Sequence, residues 1–164
     1  MSIAEQPLSG DLRAEIRAIA QAEPHPRGAS VAALRLVQAH MGWISTPHLN
    51  EVADVLGMSA ADLDGIATYF NLLFRRPVGR HVIMLCDSVS CWIMGRERLC
   101  AHLCRTLDIQ PGQTTADDAI TFLPIVCLGH CDHAPAMLVD DTLYGDVDTP
   151  TLDHLIDTLR EPPP

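Results

Sequence analysis

The chain has 164 residues, 48% of them apolar, and a formal net charge of −10. That length suits one domain, or one domain with a small appendage, and it can bury a core without disulfide staples. The acidity argues against nucleic acid or anionic lipid as a partner, and no apolar run reaches the length of a membrane span.

The start, Met1-Ser2-Ile3-Ala4-Glu5-Gln6-Pro7, has neither the basic nor the apolar stretch of a signal peptide, so a cytoplasmic protein is expected. In a reducing compartment the six cysteines point to metal binding or redox chemistry rather than structural disulfides. Charge is uneven along the chain. Ten arginines balance ten acids over residues 1–105, whereas residues 106–164 set Arg160 alone against eleven acids.

The first part reads as helices. Ser9 is placed to cap a segment with Leu12, Ile16 and Ile19 on one side, ended by Pro24 and Pro26. Ser30 is the expected cap of a second helix, carrying Val31, Leu34, Val37 and Met41 and stopped by Gly42. Thr46-Pro47 reads as a cap followed by proline at the first helical position. Leu49, Val52, Ala53 and Leu56 form the next face, and Gly57 ends it. Ser59 with Asp62 signals a fourth helix, expected to run through Leu63, Ile66, Ala67, Phe70 and Phe74. These elements predict a small helical bundle over residues 1–76.

Arg75-Arg76-Pro77-Val78-Gly79-Arg80 breaks that pattern. Its arginines suit a solvated connector or a grip on an acidic partner. From here the pattern predicts an α/β domain over residues 77–164. A strand His81–Leu85 leads to Cys86. A helix follows with Arg96, Leu99, Cys100, Leu103, Cys104 and Leu107 on one face. Gln110–Gln113 turns, and a strand Ile120–Val126 leads to Cys127. Ala136–Val139 and Thr142–Tyr144 read as a hairpin across Asp140-Asp141. Thr149-Pro150 opens a last helix with Leu152, Leu155, Ile156 and Leu159, and Pro162–Pro164 reads as a frayed end. The predicted order is β, α, β, β, β, α.

Four cysteines stand in two short loops at strand ends, Cys86-Asp87-Ser88-Val89-Ser90-Cys91 and Cys127-Leu128-Gly129-His130-Cys131. Soft thiolates suit an iron–sulfur centre, and four can complete a [2Fe-2S] cluster, each short loop giving two ligands to one iron. Ser88 and Ser90 are small and leave backbone N–H groups free to face sulfur, and Gly129 permits a tight loop. Adding an electron makes an anionic centre more negative. Asp87 and Asp132 oppose that unless solvent screens them, so a low-potential centre is expected.

Other readings compete. Zinc also takes four cysteines, although the first spacing is at the long limit of its usual pattern. A dithiol–disulfide site lacks its two-residue spacing. A Rieske-type centre would draw on His130 and His133. Cys100 and Cys104 share a face with leucines and read as core. Trp92 either shields the site or packs ordinarily, and Met84, Met94 and Met137 read as core. No phosphate loop and no nucleophile–base set stands out, so no substrate site is assigned and no catalytic residue is named.

The pattern Cys-x4-Cys followed by Cys-Leu-Gly-x-Cys-Asp-x-Ala-Pro at 127–135 resembles the thioredoxin-like [2Fe-2S] ferredoxin subunits (E-type) of bacterial respiratory complex I. Gln38–Ser45, Gly65–Phe70, Pro77–His81 and Gly112–Thr115 also fit, in order, across nearly the whole chain. The chain departs from the family with Tyr69-Phe70 in place of Phe-Tyr, and with Asp117-Asp118 where Asp-Gly is usual, which leaves the turn before Ile120 undetermined. The resemblance implies a thioredoxin-like domain behind the helical bundle and one [2Fe-2S] cluster on Cys86, Cys91, Cys127 and Cys131. It also implies docking, aided by the helical part, on the flavoprotein subunit that holds FMN and oxidises NADH. Other peripheral-arm subunits of NADH:quinone oxidoreductase would be neighbours, at the cytoplasmic face of the inner membrane. The same module serves NAD-linked hydrogenases and formate dehydrogenases. A zinc-stabilised interaction module is the remaining alternative.

Overall fold

Ser9 opens the first helix: its side chain accepts a hydrogen bond from the Leu12 N–H at 3.1 Å, and α1 runs Gly10–Ala22. The computed structural model describes residues 6–160, so the expectations for the chain's start and for Pro162–Pro164 lie outside the described residues. Two compact units divide the chain, Met1–Pro77 and Val78–Pro164.

In the first unit α2 spans Ser30–Met41, α3 Thr46–Leu56 and α4 Ala60–Tyr69. Ile16, Leu34, Ile44, Leu49 and Leu63 are fully buried between them. Each such side chain contributes roughly 1.5–3 kcal/mol through removal from water. Gly42 and Gly57 close α2 and α3 at positive φ, which glycine adopts without a Cβ clash. Ser59 caps α4 through the Asp62 N–H at 3.1 Å.

Three expectations shift. Ser30 is not a cap: a 3₁₀ turn, Pro26–Ala29, leads into α2, and the Ser30 hydroxyl donates to the Arg27 carbonyl at 2.7 Å. Ser45, not Thr46, caps α3 through the His48 N–H, so Pro47 falls at the second helical position. α4 stops at Tyr69 instead of reaching Phe74. The Gln38 side chain donates to the Leu72 carbonyl at 2.9 Å and accepts the Phe74 N–H at 2.7 Å, a donor that a continued helix would have paired with the Phe70 carbonyl. Arg75 is likewise committed within this unit, to Asp64 at 2.7 Å and to the Ile44 carbonyl.

The second unit holds a five-stranded sheet. β1 is His81–Cys86, β2 Gln113–Thr114, β3 Ile120–Ile125, β4 Met137–Val139 and β5 Thr142–Tyr144. Their order is β2-β3-β1-β4-β5, with β1 and β3 parallel and the other pairs antiparallel. A parallel pair needs a crossover. It contains two helices, α5 (Val89–Ile93) and α6 (Arg96–Leu107). α6 buries Leu99, Leu103 and Leu107, and α7 (Thr149–Arg160) buries Leu152 and Ile156, in one core with Ile83, Leu85, Ile120 and Phe122. Hydrophobic periodicity does not reveal α5 or the two-residue β2, because both are too short to display a full period. At the turn before β3, Asp118 takes φ 54°, the conformation a glycine would supply. The Asp117 carboxylate braces it by accepting from the Ala119 N–H at 3.1 Å.

Candidate metal centre

The sheet brings the two cysteine loops together. β1 ends at Cys86 and β3 at Ile125, and these two residues are register partners on adjacent parallel strands. Both loops therefore leave the same end of the sheet. The Asp87 N–H donates to the Ile125 carbonyl at 2.8 Å, and the Cys86 N–H to the Ala136 carbonyl at 3.1 Å, which ties the first loop to the chain on either side. Cys91 follows on α5, and Cys131 opens a 3₁₀ turn, Cys131–His133.

The four thiols influence one another. Cys86 interacts with Cys91 and Cys127 with Cys131; across the loops Cys127 senses Cys86 and Cys131 senses Cys91. The Cys127 and Cys131 sulfurs are 3.4 Å apart, close to the ~3.8 Å edge expected of two thiolates on one tetrahedral metal with bonds near 2.3 Å. Cys86 and Cys91 are buried against Ala134 and Ala136, with Leu128 packed on them, whereas Cys127 and Cys131 are exposed. The site thus has a dry inner pair and an open outer pair.

Hydrogen-bond donors converge on these sulfurs. Burial raises the Cys86 thiol, but the Ser88 hydroxyl, 3.3 Å away, and the Leu128 and Ser88 N–H groups outweigh it and bring its pKa below the usual range. Cys127 is lowered by the Gly129 N–H, which lies 3.4 Å from its sulfur, and by Cys131. Gly129 reaches that position at φ 78°. Cys91 is raised by burial, and Cys131 by sharing a proton with Cys127. In each pair one thiol is thus lowered and the other raised.

Among the described residues, no three Cys, His, Asp or Glu side chains converge as a site for a single ion. Thiols in facing pairs are instead what a two-iron centre requires, two per iron. Small side chains, N–H donors to sulfur and the paired thiols all fit such a group.

The chain is similar to known proteins. Residues 16–160 match the family described as thioredoxin-like [2Fe-2S] ferredoxin. The chain belongs to this family. Among relatives of this ferredoxin, the E subunit of NADH-quinone oxidoreductase from Pseudomonas aeruginosa is 47% identical over 122 residues, 74% of each chain. Its namesake from Escherichia coli K12 is 43% identical over 135 residues, 82% of this chain and 81% of that one. In structure, the NAD+-reducing [NiFe]-hydrogenase in its air-oxidised state matches with a TM-score of 0.71 at 28% identity. That match covers 80% of this chain but only 23% of the hydrogenase chain.

Around the ferredoxin site several expectations change. Trp92 and Met94 are not packed: they are 61% and 58% exposed, and Val89, Ile93 and Val126 are exposed as well. A five-residue helix whose cysteine faces inward turns its other side chains to solvent. Met84 and Met137 are core, as expected. Cys100 and Cys104 lie half-buried against the sheet's core, and burial raises the Cys100 thiol. His130 and His133 stack on each other, centroids 4.7 Å apart, beside the outer pair. Sequence reasoning missed the Ser88 side chain and the N–H groups of Leu128 and Ala136, which reach Cys86 and Cys91. For Ser88 a signal existed, a serine two residues after a strand-end cysteine. Backbone N–H groups carry none.

Proposed function

We propose that this protein is the electron-transfer subunit of an NADH:quinone oxidoreductase, holding one [2Fe-2S] cluster on Cys86, Cys91, Cys127 and Cys131. The convergence of the two cysteine loops at the ends of the paired strands β1 and β3, with the Cys127 and Cys131 sulfurs 3.4 Å apart, carries the proposal. When bound, the cluster supplies one-electron exchange at low potential. The chain's own residues hold and shield it. Buried Cys86 and Cys91 anchor the inner side, and hydrogen bonds from Ser88, Leu128 and Gly129 favour negative charge on sulfur. The exposed outer pair and the exposed apolar side chains of Val89, Trp92, Ile93, Met94 and Val126 suit this end to a partner. We place there the flavoprotein subunit with FMN and the NADH site, beside the other peripheral-arm subunits of complex I.

The domain at 77–164 would carry the cluster. The helical segment at 1–76 would add docking surface, where Tyr69, Phe70 and Leu72 are exposed. The names of the relatives support the oxidoreductase assignment. No helix among the described residues is long and apolar enough to cross a membrane. Attachment through partners at the cytoplasmic face of the inner membrane fits that. A diaphorase subunit of an NAD-linked hydrogenase is the second reading, favoured by the hydrogenase match; the identity of co-purifying subunits separates the two. The family match favours either over a zinc-stabilised module.

The test is electron paramagnetic resonance of the anaerobically purified chain before and after dithionite. A spin-half signal that appears only on reduction, with iron and acid-labile sulfide present, is expected. Bound zinc with no iron and no signal in either state would overturn the reading.

A further inference from the structure

The second cysteine loop has little of its own to hold it in place. Cys127, Cys131 and Val126 are exposed, and within the loop the Gly129 N–H reaches Cys127 and the His133 N–H reaches the His130 carbonyl at 3.2 Å. A distant piece of chain grips it as well. Between β5 and α7, the Asp146 N–H donates to the His133 carbonyl at 2.7 Å and the Val147 N–H to the Pro135 carbonyl at 3.0 Å. The Asp146 carboxylate accepts from His133 Nδ1 at 2.7 Å. Val147 is buried in the sheet's core, so the grip is anchored.

Gly145 makes this approach possible. A Cβ built there would lie 2.5 Å from His133 Cβ, 2.6 Å from His130 Nε2 and 2.7 Å from His130 Cδ2. His133 Cβ is fixed to backbone and cannot swing away. The stacked pair of imidazoles therefore lies across bare main chain, on the segment that flanks Cys131.

We propose that Gly145–Val147 is a positioning strap for the outer thiol pair, with Gly145 as its critical residue. The strap fixes where Cys127 and Cys131 stand relative to Cys86 and Cys91. It thereby sets the spectrum and the retention of the bound group. This rests on the ligand assignment proposed above. Residues that orient ligands from outside the coordination sphere commonly change metal affinity about 10- to 100-fold when altered.

The test uses the full chain, purified anaerobically, as wild type, Gly145→Ala and Gly79→Ala. Gly79 is a second glycine in the same unit with no room for a Cβ: one built there would meet Ala119 and Ile120 backbone at 2.9 Å, just before β1 and away from the cysteines. Gly145→Ala is expected to change the g values of the reduced protein and to lose iron to a chelator about tenfold faster, while Gly79→Ala leaves both unchanged. Wild-type g values and iron retention in Gly145→Ala overturn the strap. Equal changes in both variants overturn it too, since they report general strain. If Gly145→Ala is not recovered folded, His133→Ala decides, because it removes the stack and the ion pair and adds no atoms: faster iron loss supports the strap and a wild-type rate refutes it. A wild-type chain without a cluster would instead refute the ligand assignment, so the two failures are distinct.

Discussion

Ser88→Ala should lower the reduction potential of the loaded protein. The Ser88 hydroxyl lies 3.3 Å from Cys86 Sγ, and its side chain also favours the ionised forms of Cys91 and Cys127. Ser88 is the N-cap residue of α5, but its side chain makes no capping hydrogen bond, so the substitution leaves the helix start intact. The backbone bond from the Trp92 N–H to the Ser88 carbonyl remains. A hydroxyl donor to sulfur stabilises the reduced, more negative state more than the oxidised one. Hydrogen bonds to charged groups contribute about 1.5–3 kcal/mol. The residue is partly exposed, so about 1 kcal/mol is a fitting difference between the two states. For one electron that corresponds to roughly 40 mV. Redox titration monitored by electron paramagnetic resonance should show a downward shift of about that size, with circular dichroism unchanged. An unchanged or higher potential would refute the assignment of Ser88 as a donor to the site.

Four further outcomes are expected. Cys127→Ser should abolish or strongly alter the reduced-state signal, while Cys100→Ala, on the core side of α6, should leave it intact; an unchanged signal in Cys127→Ser would remove that residue from the ligand set. Leu103→Ala, at a position with no exposed surface, should cost about 2–5 kcal/mol in urea unfolding through the cavity it leaves. Asp118→Gly should stabilise by about 0.5 kcal/mol, because the residue stands at φ 54°. Finally, Asp117 is held below the usual carboxylate range by the Thr115 hydroxyl and the Ala119 N–H. A depressed folded pKa gives stability that is present above the unfolded value near 3.9 and lost as pH falls through the folded value. Asp117→Asn should therefore flatten the acid side of the stability profile, below about pH 4, and leave its slope near neutrality unchanged.

Much of the fold was legible because its signals are local. Leu99, Leu103 and Leu107 recur at helical spacing and do face the sheet. Ser9 and Ser59 cap as read, since each has one N–H three residues on to bind. The Asp140-Asp141 hairpin closes as read, with Asp140 at φ 51°. Where neighbouring residues compete for one role, the sequence was ambiguous. Ser45 and Thr46 both suit a cap, and the bond to the His48 N–H chose Ser45. Phe74 fits the α4 periodicity, but Gln38, 36 residues earlier, claims its N–H. Trp92 and Met94 have core composition, yet Cys91 takes the inward side of α5 and leaves them outside.

The chemistry of the site is already present in the order of the residues. Thiols at short spacing after apolar strands specify soft-metal ligands whatever the surrounding fold, because ligand type and loop length are covalent facts. Which sulfurs face each other, and which are dry, depends on folding. Parallel pairing of β1 with β3 puts two loops 36 residues apart, Cys91 to Cys127, at one end of the sheet. The chain from Gly145 to Val147 then closes on the segment that follows the outer loop, through main-chain hydrogen bonds to His133 and Pro135. Main-chain donors are present at nearly every residue, so no residue type in the sequence could announce that contact.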